Sequence, residues 1–260
     1  MMFFFVSAVF AEVYYAKVEP YEFRNLASDV MGIVEKTDEN LIGKMLKKET
    51  FIVIDNELDR KELSFIKEKL KDLQSTLSLS ESMLENLQET LKRKRLNYKK
   101  VEAMKIKSRI EKDREFYDLV ATENSYIATQ KEINSLKIQI ADLLLRKTTL
   151  EKILRDKKLQ AKGMVLYSID VKEGQYVNKG TPLAKLADTS KALLTIYVNK
   201  EDLNKIGSKV VYINGKKTSY KVNRYTTIAD ATNLSKYKAQ IIIKAPKIFS
   251  QLVEVELKEE

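Results

Sequence analysis

The chain has no His, no Cys and no Trp among its 260 residues. Those absences exclude a histidine general base, a thiolate nucleophile, a disulfide and a zinc centre of the usual His and Cys kind. Gly and Pro are scarce as well, at 7 and 3, too few to punctuate a many-turned all-β protein. What is present points to long helices. Charged residues make up 32%, and hydrophobic residues at 44% supply enough apolar side chain to build a core. Lys and Arg outnumber Asp and Glu by 47 to 37, a net charge of +10. That balance admits a nucleic acid, a membrane surface or an acidic protein as partner.

Residues Met1 to Ala11 form a short apolar run ending in small side chains. The run predicts a secretory signal (residues 1–11) cleaved after Ala11, where Val9 and Ala11 fill the two positions a signal peptidase reads. The segment is too short to span a bilayer. No Lys or Arg precedes it, a departure from the usual basic start, and a buried N-terminal strand is the competing reading. An exported chain, beginning at Glu12, would not meet nucleic acid.

From Leu58 to Ala161 there is neither Gly nor Pro, and Leu, Lys, Glu and Gln dominate, a helix composition. A heptad grid on Leu63, Ile66, Leu70, Leu73, Leu77, Ser80, Leu84, Leu87, Leu91, Lys94, Tyr98 and Val101 is apolar at ten of twelve positions. A second grid on Leu119, Thr122, Tyr126, Thr129, Ile133, Leu136, Ile140, Leu143, Lys147, Leu150 and Leu154 is apolar at eight of eleven. The two seams can bury each other if the chain turns back. Ser108-Arg109-Ile110-Glu111 matches a capping box, and Asp113 and Glu115 add negative charge where the new helix dipole favours it. The expectation is therefore one helix over 58–105, a turn near 105–108 and a second helix over 108–160. A single unbroken dimeric coiled coil is the alternative.

β-structure is predicted on either side. Ser28 to Glu35, Met45-Leu46 and Phe51 to Asp55 precede the helices. After them, Gly163, Gly174 and Gly180 punctuate short β-branched runs. The spacing Gly163-x-Val165, then Val171-x-x-Gly174-x-x-Val177-x-x-Gly180-x-Pro182-Leu183-x-x-Leu186, resembles the second half of the lipoyl-like domain of HlyD-family periplasmic adaptors, the membrane fusion proteins. The first half keeps Gly32 and Val34, but Glu39-Asn40-Leu41-Ile42-Gly43 lacks the first glycine of the pattern.

The resemblance implies an α+β fold: a long antiparallel α-helical coiled-coil hairpin inserted into a split lipoyl-like β-sandwich, followed by a small β-barrel. In its terms, 12–20 is a strand joining the barrel or membrane-proximal region, 21–57 and 161–190 are the lipoyl-like halves, 58–160 is the hairpin and 191–260 is the barrel. Barrel strands are expected at Lys191–Val198, Ala239–Lys244 and Leu252–Leu257, with a helix start at Asn199–Leu203. Asn214-Gly215 predicts a type I′ turn between Val210–Ile213 and Thr218–Val222. The Val13–Val18 segment is expected beside the last strand. True lipoyl and biotinyl domains carry their cofactor on a Lys within Met-Lys-Met or Asp-Lys-Ala. Neither occurs here, so no cofactor and no enzymatic activity is implied. The seven Met residues are scattered, which argues against a thioether metal site such as a Met31 and Met45 pair.

Family members dock the hairpin tip on a TolC-type outer-membrane channel, commonly through Arg, Leu and Ser spaced by four and then seven residues. The matching positions are Asn97, Val101 and Ser108: the Ser is kept, the Leu conservatively changed and the Arg lost. Ser108 as only a cap and Val101 as only a seam residue is an equal reading. Lys105, Lys107 and Arg109 complete the candidate site. Between Lys92 and Arg114, eleven Lys and Arg face three carboxylates, a local balance of +8. A positive tip would be steered to an acidic channel entrance, while a solvated charged face is the ordinary explanation of such a run. The resemblance further implies an inner-membrane transporter of the resistance-nodulation-division or ABC type as partner. It implies self-association into a ring and a periplasmic location, with export of small molecules or proteins as the function. A coiled-coil scaffold without a transport role is the rival.

Overall fold

The computed structural model describes residues 12–230, 233 and 235–259. The proposed signal, residues 1–11, lies outside them. In chain order the elements are β1 (Val13–Ala27), β2 (Gly32–Thr37), β3 (Met45–Ile54), α1 (Glu57–Ala103), α2 (Arg109–Asp156), β4 (Lys158–Ile169), β5 (Tyr176–Val177), β6 (Pro182–Val198), the short α3 (Lys200–Leu203), β7 (Val210–Ile213), β8 (Lys216–Lys217), β9 (Val222–Ala229), β10 (Tyr237–Lys244) and β11 (Leu252–Lys258). Among the described residues, those before Asp55 and after Lys157 form one compact unit, and Asp55–Lys157 form a second.

The β unit is a single curled sheet in which β6 is the hub. It pairs with β4, β1 and β10, all antiparallel. Alternation of apolar side chains builds one core: Tyr14, Ala16 and Val18 on β1, Ala192, Leu194, Ile196 and Val198 on β6, Ala239 and Ile241 on β10, and Val255 and Leu257 on β11 all turn inward. β1 runs beside β11 from Val13 to Lys17 and then crosses to β6 from Val18 onward. The register slips between Pro20 and Glu22, where Pro20 has no N–H to give the ladder. The boundaries expected at 20/21 and 190/191 thus fall inside β1 and β6. Both strands are long enough to serve two parts of the sheet, so no chain break separates those parts.

Segments from either side of the helices bond to each other. Gly174 N–H donates to the Val34 carbonyl (2.9 Å) and Val34 N–H to that of Gln175 (2.8 Å). Ser28 N–H donates to Thr181 (2.9 Å) and Gly180 N–H to Ser28 (2.8 Å). Gly174 and Gly180 hold φ of +80° and +87°, left-handed conformations that a β-carbon would strain. Between β2 and β3 the chain makes a 3₁₀ turn over Glu39–Leu41, whose preceding Asp38 accepts from Asn40 N–H through its side chain. The Asn214-Gly215 turn forms, with both residues at positive φ, yet its second strand is only Lys216–Lys217, and the chain pairs next along β9, which the sequence did not reveal as a separate strand.

The helices, of 47 and 48 residues, are each about 70 Å long at 1.5 Å per residue. They are antiparallel: Glu62 pairs with Arg146, Glu81 with Lys137 and Arg95 with Glu123, so partner numbers fall along α2 as they rise along α1. Between Leu63 and Val101 the residues that escape full exposure are the twelve of the first heptad grid. α2 ends at Asp156, earlier than helix composition predicts. Lys158 and Leu159 are instead taken by pairing with Val53 and Ile52 of β3, a tertiary ladder that overrides local propensity.

Candidate docking site at the helix turn

The turn between α1 and α2 is built by its hydrogen bonds. α1 stops when Met104 adopts an extended backbone. Ser108 then caps α2: its Oγ accepts from Glu111 N–H (3.3 Å), while a Glu111 carboxylate oxygen accepts from Ser108 N–H and from its hydroxyl, both at 3.0 Å. Lys107 Nζ reaches the other Glu111 oxygen at 2.8 Å. Lys107 first, and the Ser108 donors next, pull the Glu111 carboxyl down to about 2. Across the pair, Lys112 Nζ donates to the Glu102 carbonyl at 2.9 Å.

Of the sequence-derived positions, three are engaged within the helix pair. Asn97 Nδ2 donates to Glu115 on α2 at 2.9 Å, Val101 is half-buried in the seam, and Ser108 is the cap. Lys107 is tied to Glu111. Lys105 is exposed, and Arg109 has a side chain 96% exposed, 4.0 Å from Asp113. The glycines 32, 163, 174 and 180 belong to the β unit and shape its strands and turns.

The charge count did not show the apolar side of this site. Ile106 is 96% exposed and Ile110 81%, with Met104, Phe116 and Tyr117 also outside. A signal was present: the first seam ends at Val101 and the second begins at Leu119, so neither isoleucine has a seam partner. Tyr98, Phe116 and Tyr117 meet in series, the first pair tilted and the second edge-on, with centroids 5.7 Å apart at each step. Among the described residues no cluster of His, Cys, Asp or Glu could hold a metal ion, and no helix is long and apolar enough to cross a membrane.

No protein-family model matches the sequence, and no curated protein matches it. Solved structures do. MacA from Actinobacillus actinomycetemcomitans is 18% identical and superposes with a TM-score of 0.70 over 95% of this chain and 78% of its own. Spr0693, a membrane fusion protein from Streptococcus pneumoniae R6, is 8% identical, with a TM-score of 0.54 over 96% of this chain and 100% of its own. The chain has the fold of the membrane fusion proteins. A MacA-MexA chimera carrying the Pseudomonas aeruginosa MexA α-hairpin shares this membrane fusion protein fold, at 18% identity and a TM-score of 0.56 over 96% of this chain and 81% of its own. In the terms of that fold, the turn at Met104–Ser108 is the tip of the helical hairpin.

Proposed function

We propose that the chain is a non-enzymatic periplasmic adaptor of an export assembly, linking an inner-membrane transporter to a TolC-type outer-membrane channel for efflux of small molecules or secretion of proteins. The observation that carries this reading is the likeness in fold to MacA along 95% of the chain. The insertion of the helices between β3 and β4, two strands that pair with each other, supports it, because it returns the chain to its starting point after a long excursion. In this reading residues 21–57 and 161–190 make a split lipoyl-like sandwich and 191–260 a small β-barrel, and residues 1–11 are removed on export. Copies stand side by side as a ring. Exposed Leu58, Phe65 and Leu79 share one heptad line on α1, interrupted by Asp72, and give each rod apolar contact points for such packing. Asn97, Val101, Lys105, Lys107, Ser108 and Arg109 meet the channel, and the transporter, of either the resistance-nodulation-division or the ABC type, supplies the energy.

The test is a photoreactive residue at Val101, crosslinked in native envelopes. Capture of an outer-membrane channel is the expected outcome. Capture of cytoplasmic proteins alone, with residues 1–11 retained, would replace the adaptor with a scaffold.

A further inference from the structure

The ends of the sheet are not finished alike. β5 (Tyr176–Val177) and β8 (Lys216–Lys217) close two of them with strands of two residues each, and β8 is all lysine; shortness and lysine both keep an edge from pairing with other chains. β9 closes the third end and has neither guard. It is eight residues long, contains no Lys, Pro or Gly, and pairs with β10 alone among the described residues. Val222 seals its start in the core that also holds Ile206, and every residue from Asn223 to Ala229 is exposed. The ladder with β10 slips twice and still runs from Val222 to Ala229. An antiparallel strand turns only alternate N–H and C=O groups to a given neighbour, so the groups on the far side of β9 meet no strand among the described residues.

We propose that the free edge of β9 takes up an extended acidic segment of another protein, which joins the sheet as an added strand. Backbone hydrogen bonds along Arg224 to Ile228 supply the affinity, and side chains choose the partner. Charge names that partner's chemistry. From Lys221 to Lys244 there are five Lys and Arg against one carboxylate, Asp230. Lys236 faces Glu12 at 3.8 Å, whereas Lys221, Arg224, Lys238 and Lys244 face no carboxylate among the described residues. Arg224 lies opposite Gln240, two residues from Lys238 on β10, so both cations share one face of the sheet. Tyr225, opposite Ala239, stands on the other face and is 51% exposed, while Ile228 is 81% exposed; both offer the incoming strand apolar cross-strand neighbours. A second copy of the chain fits poorly. Two β9 edges joined to each other would bring two such basic strand pairs together, and the chain's own acidic strand, β11 with Glu254 and Glu256, is already bonded on both sides. The inference does not depend on the adaptor reading, because it concerns only an edge of the β unit.

The probe is an acetylated and amidated peptide alternating Glu and Val, one residue for each from Asn223 to Ala229, added to the full chain. Hydrogen exchange is expected to show new amide protection confined to β9. Fluorescence anisotropy should show binding that weakens at least about tenfold when Lys221→Glu and Arg224→Glu are combined. Both side chains are exposed, so circular dichroism should show that variant folded. The same peptide methylated on every backbone nitrogen keeps its charge and loses its donors, and its binding should be lost. A peptide with Lys in place of Glu should not bind. Protection that appears instead at the basic turn between α1 and α2, or a methylated peptide that binds as well as the parent, would reduce the effect to charge attraction and overturn the proposal. Absence of binding, or β9 protected by dimerisation of the chain with no peptide present, would overturn it equally.

Discussion

Where the chain passes into and out of the helix pair, Ile66 and Leu70 of α1 close on Leu150 of α2, with Leu63, Ile140 and Leu143 around them. Toward the turn the same seam holds Lys94, whose Nζ lies 2.7 Å from Asp118 and 2.9 Å from the Thr122 hydroxyl, and the turn itself exposes Ile106 and Ile110. One end thus closes an apolar seam, with Leu58, Phe65 and Leu145 left on its outer faces. The other ties its seam cation to a carboxylate across the pair and leaves apolar residues outside at the turn. Burial stabilises in proportion to the apolar area removed from water, so the cluster at the first end contributes most where Leu150 is sealed, and Leu91 and Leu119 add to it nearer the turn. At the turn itself Ile106 and Ile110 forgo that gain, and what they present instead is a surface for something else to cover.

The comparison breaks most sharply at Leu150, which is 1% exposed. Leu150→Ala should cost about 3 kcal/mol, the transfer of the lost methyls together with the cavity they leave. Hydrogen exchange would report it as lost amide protection on both helices near Leu70 and Leu150. Protection that survives there would show that the apolar end is not the stabilising one. At the turn, Ser108→Ala removes one cap acceptor and should cost about 1 kcal/mol. Its effect should be confined to exchange in the first turn of α2, and a loss spreading toward Leu150 would contradict the division between the ends.

How far all this could be read beforehand depends on where the side chains find their partners. The seam was legible because heptad spacing on one helix is matched by heptad spacing on the other, and burial follows those positions. The Ser108 cap was legible because its partner, Glu111, is three residues away. The end of α2 was not, because Lys158 and Leu159 are claimed by Val53 and Ile52, about a hundred residues earlier. Nor was the sharing of β1 and β6 across the sheet, since strand alternation does not mark where a long strand changes neighbours. At the candidate site, Asn97 and Ser108 were placed by the motif that the family resemblance implies, yet the structure occupies both with internal bonds. Ile106 and Ile110 lay outside every pattern, and belonging to no seam was itself the signal.

Lys94→Met tests the polar end of the seam from the opposite direction. The pair with Asp118 is partly exposed, so it is screened, and an unbranched apolar side chain fills the same track between the helices. The expected change is within about 0.5 kcal/mol, read by the same exchange measurement. A large loss would make the cation in the seam a structural requirement and leave the turn as the only part of that end free for recognition.

The smallest expected effect is on Glu111, and it concerns whether the turn keeps its shape as pH changes. Its carboxyl is held at about 2 in the folded chain against an ordinary 4.5, first by Lys107 and then by the amide and hydroxyl of Ser108. A depressed value means that the charged form is favoured by folding. The contribution of these bonds is therefore fully present above pH 4.5, declines as pH falls below it, and is gone once pH has fallen through about 2. Carbon-detected NMR titration of the Glu111 carboxyl should place its midpoint near 2, and Lys107→Met, which removes the largest cause, should move that midpoint upward. A midpoint at 4.5 in the unmodified chain would mean that the Lys107 and Ser108 bonds are not held in solution. The rigid turn that presents Ile106 would then give way to a loose one, and the contrast between a packed end and a preorganised recognition end would lose its second half.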